Sequence, residues 1–317
     1  MRKKFSAVCG LLLFVPLWAA SALPVTSIVS FGDSLSDNGN ASIATVGVEP
    51  GAGYGYRSVP GVPFPVGEFT NPTSNGTSGL WIDDLASRLS LPDPQPFLAG
   101  GTNYAVGSAL TGSNGLDGVS DQLAAYRSTH SASSTVLYSF WAGSNDILQG
   151  ANPVQAANNI ESNISTLAAA GGRYFLWLNE PLLGDTPEGA ASGQATALNA
   201  ASAAFNLQWA ADIQTLEQEY PGIDLIGVDI AALFNSILTT PGHDGLNVTD
   251  AAMDIPGADP NAYLSWDGLH PTTAGHELVA EAAFDALPTP EPGSFACILL
   301  GFTGLAGFLR LKAVYRR

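Results

Sequence analysis

The chain has 317 residues, 46% of them apolar, and carries 11 Lys and Arg against 28 Asp and Glu, a formal charge of −17. Three cations precede residue 23 and four follow residue 292, so the stretch between holds only Arg57, Arg88, Arg127 and Arg173 beside all 28 carboxylates, a formal −24. A body this acidic repels nucleic acid and anionic lipid, whose binding rests on Lys and Arg, and no nucleic-acid partner is expected.

The first element along the chain is a leader. Arg2, Lys3 and Lys4 precede an apolar run over residues 5–18 and then Ala20-Ser21-Ala22. Basic region, hydrophobic region and small-residue cleavage site read as a secretory signal peptide over residues 1–22. The run is broken by Pro16 and is short for a spanning helix, which wants ~20 apolar residues. Residues 25–31 form a β-rich strand running into Gly32-Asp33-Ser34-Leu35. Residues 41–79 lack regular pattern, and long loops of this kind often line a site. A helix is expected over 80–89, followed by Asn103-Tyr104-Ala105-Val106-Gly107. A strand over 135–141 ends at Gly143-Ser144-Asn145-Asp146.

Helix (154–170), strand (174–178), Ala-rich helix (196–220) and strand (223–228) come next, then a second irregular stretch over 239–261. Asp267-Gly268-Leu269-His270 precedes a helix over 273–287, with Pro271 ending the turn and Thr272 or Thr273 as its cap. Strands alternating with helices argue for a parallel sheet covered on both faces, with ligands beyond the carboxyl ends of its strands. Ser34 and Asn145 each follow a strand directly. Residues 23–288 read as one domain, large enough to bury a core unaided. Both cysteines, Cys9 and Cys297, lie outside it, so neither disulfide nor thiolate metal site supports it.

Pro290-Glu291-Pro292, an apolar run over 295–309 and the basic residues Arg310, Lys312, Arg316 and Arg317 end the chain. Residues 289–317 resemble the PEP-CTERM sorting signal of Gram-negative bacteria. That resemblance implies transient inner-membrane anchoring through the C-terminal helix, processing by an exosortase-type enzyme, and delivery to the cell surface or outside. The basic tail fits a cytoplasmic C-terminus.

The motifs together supply the parts of an acyl-transfer site. A serine hydroxyl is a poor nucleophile until an imidazole takes its proton and a third group fixes that imidazole. Asp267 and His270, three apart, can pair in one local turn and leave Nε2 for Ser34. Oxyanion donors are available from the Ser34 N–H, from a backbone N–H near residues 103–108 and from the Asn145 side-chain amide. Asp33 and Asp37 read as turn and cap residues and Asp146 as a loop brace. His130 and His276 read as solvated. His243 has no matching carboxylate, and the histidine spacing suggests no zinc site. Of the aromatics Tyr54, Tyr56, Trp141 and Trp266, Trp141 reads as core and Trp266 as a pocket wall.

Over residues 25–287 these blocks resemble the GDSL esterase/lipase family, or SGNH hydrolases. The resemblance implies an α/β/α flavodoxin-like sandwich with a central parallel sheet and no metal or organic cofactor. It carries over Ser34 as nucleophile and donor, Asn145 as oxyanion donor, Asp267 as orienter and His270 as base. The family's Ala-x-Gly-Gly reads Ala105-Val106-Gly107-Ser108 here, so the second backbone donor is expected at Gly107, with Ser108 the alternative. The implied function is an exported serine carboxylic-ester hydrolase acting on small-molecule or polysaccharide esters of short-chain, acetyl or lipid type. Phospholipase or acyltransferase activity is an alternative, disfavoured by four arginines as grips for phosphate. A non-catalytic extracellular carbohydrate-binding protein that keeps the hydrolase fold is another.

Overall fold

In chain order the elements are β1 (Ser27–Gly32), α1 (Asn40–Ala44), β2 (Gly55–Ser58), β3 (Pro65–Glu68), α2 (Trp81–Arg88), α3 (Val119–Thr129), β4 (Val136–Trp141), α4 (Ser144–Leu148), α5 (Pro153–Ala169) and β5 (Tyr174–Leu178). There follow α6 (Pro187–Ala191), α7 (Ala195–Glu219), β6 (Asp224–Val228), α8 (Ile230–Thr239), β7 (Asn247–Ala251), β8 (Tyr263–Ser265) and α9 (Thr273–Ala286). The computed structural model describes residues 23–45, 55–58, 65–71, 79–115, 117–240 and 245–288. The expected signal peptide and the Pro-Glu-Pro tail lie outside the described residues. Residues 25–287 form one unit.

The central sheet is parallel, in the order β1-β4-β5-β6. Residues 102–106 extend it beyond β1: Ser30 N donates to Thr102 O (3.1 Å), Tyr104 N to Ser30 O (2.8 Å) and Val106 N to Gly32 O (3.1 Å). The chain therefore leaves β1 to one side and returns on the other at β4, and the gap outside β1 and β4 is where such sheets bind ligands.

Both faces are covered, as the unbroken burial of β4 requires. On one face Phe31 pairs with Phe140 and Tyr138 with Phe175 across the strands, stacked at 5.1 and 5.6 Å between ring centroids. This aromatic ladder forms one core cluster with residues of α3, α5 and α7. The other face lies under α2 and α9, where Trp81 meets Trp141 edge-on at 5.7 Å. Pro153 opens α5 and the Asn152 side chain accepts from Val154 and Gln155 N–H. Thr272 caps α9 through the Gly275 N–H (3.1 Å).

The fold class agrees with the expectation, and each expected strand and helix is present within about two residues, the usual uncertainty of element ends. The stretches expected to be irregular hold α1, β2, β3 and β7. Helix α8 falls where no helix was expected. Asp229 caps it by accepting from the Ala232 N–H (2.9 Å). Its apolar residues Ile230, Leu233, Phe234, Ile237 and Leu238 share one broad face with Asn235, Ser236 and Thr239 opposite, but the helix is only ten residues long and follows β6 directly. Among the described residues no helix is long and apolar enough to cross a membrane.

Candidate active site

The turn that carries Ser34 begins where β1 presses on β4. A Cβ on Gly32 would stand 2.5 Å from the Trp141 carbonyl oxygen, so only glycine fits. Gln122 holds that residue from α3, accepting from Gly32 N (2.9 Å) and donating to Gly32 O (2.8 Å). The chain then turns sharply: Ser36 N and Asp37 N both donate to Asp33 O, and Leu35 N donates to Asp33 Oδ1. Ser34 is left at the carboxyl end of the strand.

His270 comes from the turn before α9. Its Nε2 lies 2.8 Å from Ser34 Oγ and its Nδ1 lies 2.8 Å from Asp267 Oδ2. The other Asp267 oxygen accepts from Leu269 N (2.8 Å) and His270 N (2.7 Å), fixing the carboxylate against its own turn. Burial pushes the Asp267 carboxyl up, but hydrogen bonding to His270 and its charge win, and the carboxyl is held below its ordinary range. The Phe69 ring leans on the imidazole at 5.4 Å. The structure thus brings Ser34, His270 and Asp267 into one chain of contacts across 236 residues.

Asn145, on α4 just past β4, joins them in the same cavity. Its Nδ2 donates to Ala109 O (3.2 Å) and Asp33 Oδ2 (3.3 Å). Gly107 does not face the cavity as expected. Its N–H donates to Asp37 Oδ2 at 2.7 Å, so it is not free to meet an oxyanion. The next residue, Ser108, stands on the cavity wall with φ 65°, the left-handed conformation a glycine adopts without cost. The N–H groups of Ser34 and Ser108 have no acceptor among the described residues. Gly107 serves packing instead: a Cβ there would meet the Phe69 ring at 2.4 Å.

The acidic residues of the first block form the frame of the site. Asp37 accepts from the N–H of Gly39 (2.9 Å), Asn40 (2.6 Å), Ala41 (3.1 Å) and Gly107. Asn103 donates to Ser36 O (2.6 Å) and Asn40 donates to Asn103 O and Ala105 O (both 2.8 Å). The string Asp37-Asn38-Gly39-Asn40 therefore ties the Ser34 turn to residues 103–107. Burial raises the Asp33 carboxyl to about 7 and Asp37 to about 6, each opposed by the backbone N–H groups it accepts. Asp146 braces its loop by accepting from Thr111 N and Oγ1 (both 2.9 Å). Sequence reasoning missed Glu180, fully buried after β5 and holding the Ser144 hydroxyl; burial raises it well above the ordinary range.

Four side readings resolve as follows. His276 is fully buried, not solvated, with no hydrogen-bond partner for either ring nitrogen among the described residues, and burial depresses it to about 3. His130 is exposed and stacks on Tyr126 (5.0 Å). Trp141 is core and cavity floor at once, whereas Trp266 stands outside the cavity wall and frames the 266–270 turn through its backbone. His243 and Tyr54 lie outside the described residues, and only the backbone of Tyr56 lies within them.

Residues 28–283 match the family described as GDSL-like Lipase/Acylhydrolase. The chain is similar to GDSL esterase/lipase At1g29670 of Arabidopsis thaliana, 27% identical over 81% of this chain and 86% of that protein. It is similar also to Esterase EstA of Pseudomonas aeruginosa, 27% identical over 91% of this chain and 51% of EstA. It spans about half the length of EstA and of its Pseudomonas putida relatives. A solved member of the lipolytic protein G-D-S-L family from Veillonella parvula resembles it with TM-score 0.46 and 15% identity, over 82% of this chain and 97% of that one. The chain belongs to the GDSL-like lipase/acylhydrolase family, and residues 28–283 are its ester-bond hydrolase domain.

Proposed function

We propose that the chain is an exported serine carboxylic-ester hydrolase working through an acyl-enzyme, on short-chain, acetyl or lipid esters. The observation that carries this reading is the unbroken run Ser34 Oγ, His270 Nε2, His270 Nδ1, Asp267 Oδ2, with 2.8 Å at both junctions. Ser34 Oγ attacks the ester carbonyl while His270 Nε2 takes its proton. Asp267 holds the ring with Nδ1 protonated and stabilises the imidazolium. The oxyanion is met by the N–H groups of Ser34 and Ser108 and by Asn145 Nδ2. His270 then hands its proton to the departing alkoxide and takes one from a water whose oxygen attacks the acyl carbon. The bond to Ser34 Oγ breaks as His270 returns that proton to Oγ, and the acid leaves. Ester and water enter, alcohol and acid depart, and Ser34 and His270 end as they began.

Export rests on the sequence of the two ends. Residues 1–22 act as a cleaved signal peptide. Residues 289–317 act as a PEP-CTERM signal, anchored transiently in the inner membrane of a Gram-negative bacterium and processed by an exosortase. The acidic body between suits the cell surface or the medium.

The test is hydrolysis of p-nitrophenyl butyrate by the purified chain and by Ser34→Ala. The mutant is expected to lose about 10⁴-fold or more in kcat with an unchanged fold by circular dichroism. An unaltered rate in Ser34→Ala rules out Ser34 as the nucleophile.

A further inference from the structure

The cavity that holds Ser34 is larger than the triad needs, about 210 Å³, and it runs along α8. Ala231, Phe234, Asn235 and Leu238 of that helix all line it. Their spacing of i, i+3, i+4 and i+7 makes them one face. The neighbouring apolar residues along one edge of that face, Ile230 and Ile237, are buried in the protein. Ala231, Phe234 and Leu238 are only half-buried among the described residues. An apolar helix face left open inside an active-site cavity is built for an apolar ligand.

The rest of the wall agrees. Leu148, Leu182 and Val248 share the cavity with that face, and among the described residues no lysine or arginine lines it, while Asp33 and Asp185 do. Among these lining residues a phosphate head would meet carboxylates and no lysine or arginine. A sugar ring would need more polar partners than this arm offers, and an acetyl group would leave it empty.

We propose that this arm binds the aliphatic acyl chain of the ester, making medium-chain fatty-acyl esters with an uncharged head the substrate class and α8 the gauge of chain length. The inference rests on the serine esterase reading above. The acyl group stays on Ser34 through both chemical steps, whereas the alcohol must leave before water enters. A walled arm continuous with Ser34 therefore suits the acyl side. Each methylene moved from water onto an apolar wall is worth roughly fourfold in kcat/KM when fully buried.

The experiment compares p-nitrophenyl acetate, butyrate, octanoate and palmitate on the wild-type chain, Ala231→Phe and Phe234→Ala. Wild-type kcat/KM is expected to rise at least tenfold from acetate to octanoate. Ala231→Phe, which fills the arm, is expected to cut octanoate at least tenfold and acetate less than threefold; Phe234→Ala, which widens it, shifts the optimum toward palmitate. A wild type that prefers acetate, or variants that lower every ester equally, overturns the proposal. A second readout does not need turnover: Ser34→Ala should melt higher with octanoate ester than with acetate ester. Equal melting overturns the acyl arm, while a shift with no wild-type turnover keeps the arm and removes the esterase reading.

Discussion

At the scale of single residues, the two hydrogen bonds of the Asn145 amide, at 3.2 and 3.3 Å, sit at the long edge of the N–H···O range. One acceptor, Asp33, is held near neutral pH between its charged and uncharged forms by burial, which weakens its hold on the amide. The amide nitrogen therefore gives up little when it turns to a developing oxyanion. Replacing it by Asn145→Ala should lower kcat by 10²–10³-fold, about 3–4 kcal/mol of barrier, with KM within a few fold. Steady-state kinetics checks this; a loss confined to KM would assign Asn145 to substrate binding. Ser108 shows the converse economy. Its left-handed backbone costs about 1 kcal/mol in a residue other than glycine, yet the residue stands on the cavity wall with its N–H unclaimed by any described residue.

At the scale of elements, residues 103–107 depend on the first block. Gly107 has no Cβ because Phe69 lies against it, and Phe69 in turn leans on His270. Gly107→Ala should displace that ring and lower kcat/KM at least tenfold, and adding Phe69→Leu should restore a good part of the loss. Full activity in Gly107→Ala alone would show that the ring does not steady the base. The strands of the central sheet, the long helices α5, α7 and α9 and the pairing of Asp267 with His270 were legible in the sequence because their signals are local: apolar runs, caps, and a carboxylate three residues from its histidine. The choice between Gly107 and Ser108 was not. It depends on which of two adjacent peptide N–H groups is claimed by Asp37, 70 residues earlier. Helix α8 escaped because it is only ten residues long and follows β6 with Asp229 alone between them, although Asn235, Ser236 and Thr239 lie opposite its apolar face. The burial of His276 did have a signal, since His276, Val279, Ala280 and Ala283 share one helix face and all are buried.

At the scale of the whole molecule, buried titratable groups give stability two opposing dependences on pH. His276 is neutral in the folded protein, depressed to about 3 from 6.5, so it contributes stability above 6.5 that is lost as pH falls toward 3. Asp33 and Asp37 are raised from 3.8 to about 7 and about 6, so theirs is present below 3.8 and lost as pH rises through those values. His276→Leu removes the first term alone. Relative to that variant, the wild type should lose up to about 1.4 kcal/mol per pH unit on acidification from 6.5 to 4. Parallel thermal-melting profiles would mean that His276 is not kept neutral by burial. The convergence of four backbone N–H groups on Asp37 has a last consequence. A buried carboxylate stripped of one donor is left partly unsatisfied, which costs about 1–3 kcal/mol, so each bond resists the opening of the others. Because the Gly107 N–H meets the same carboxylate as the turn after Ser34, a displacement of either segment is expected to draw the other with it.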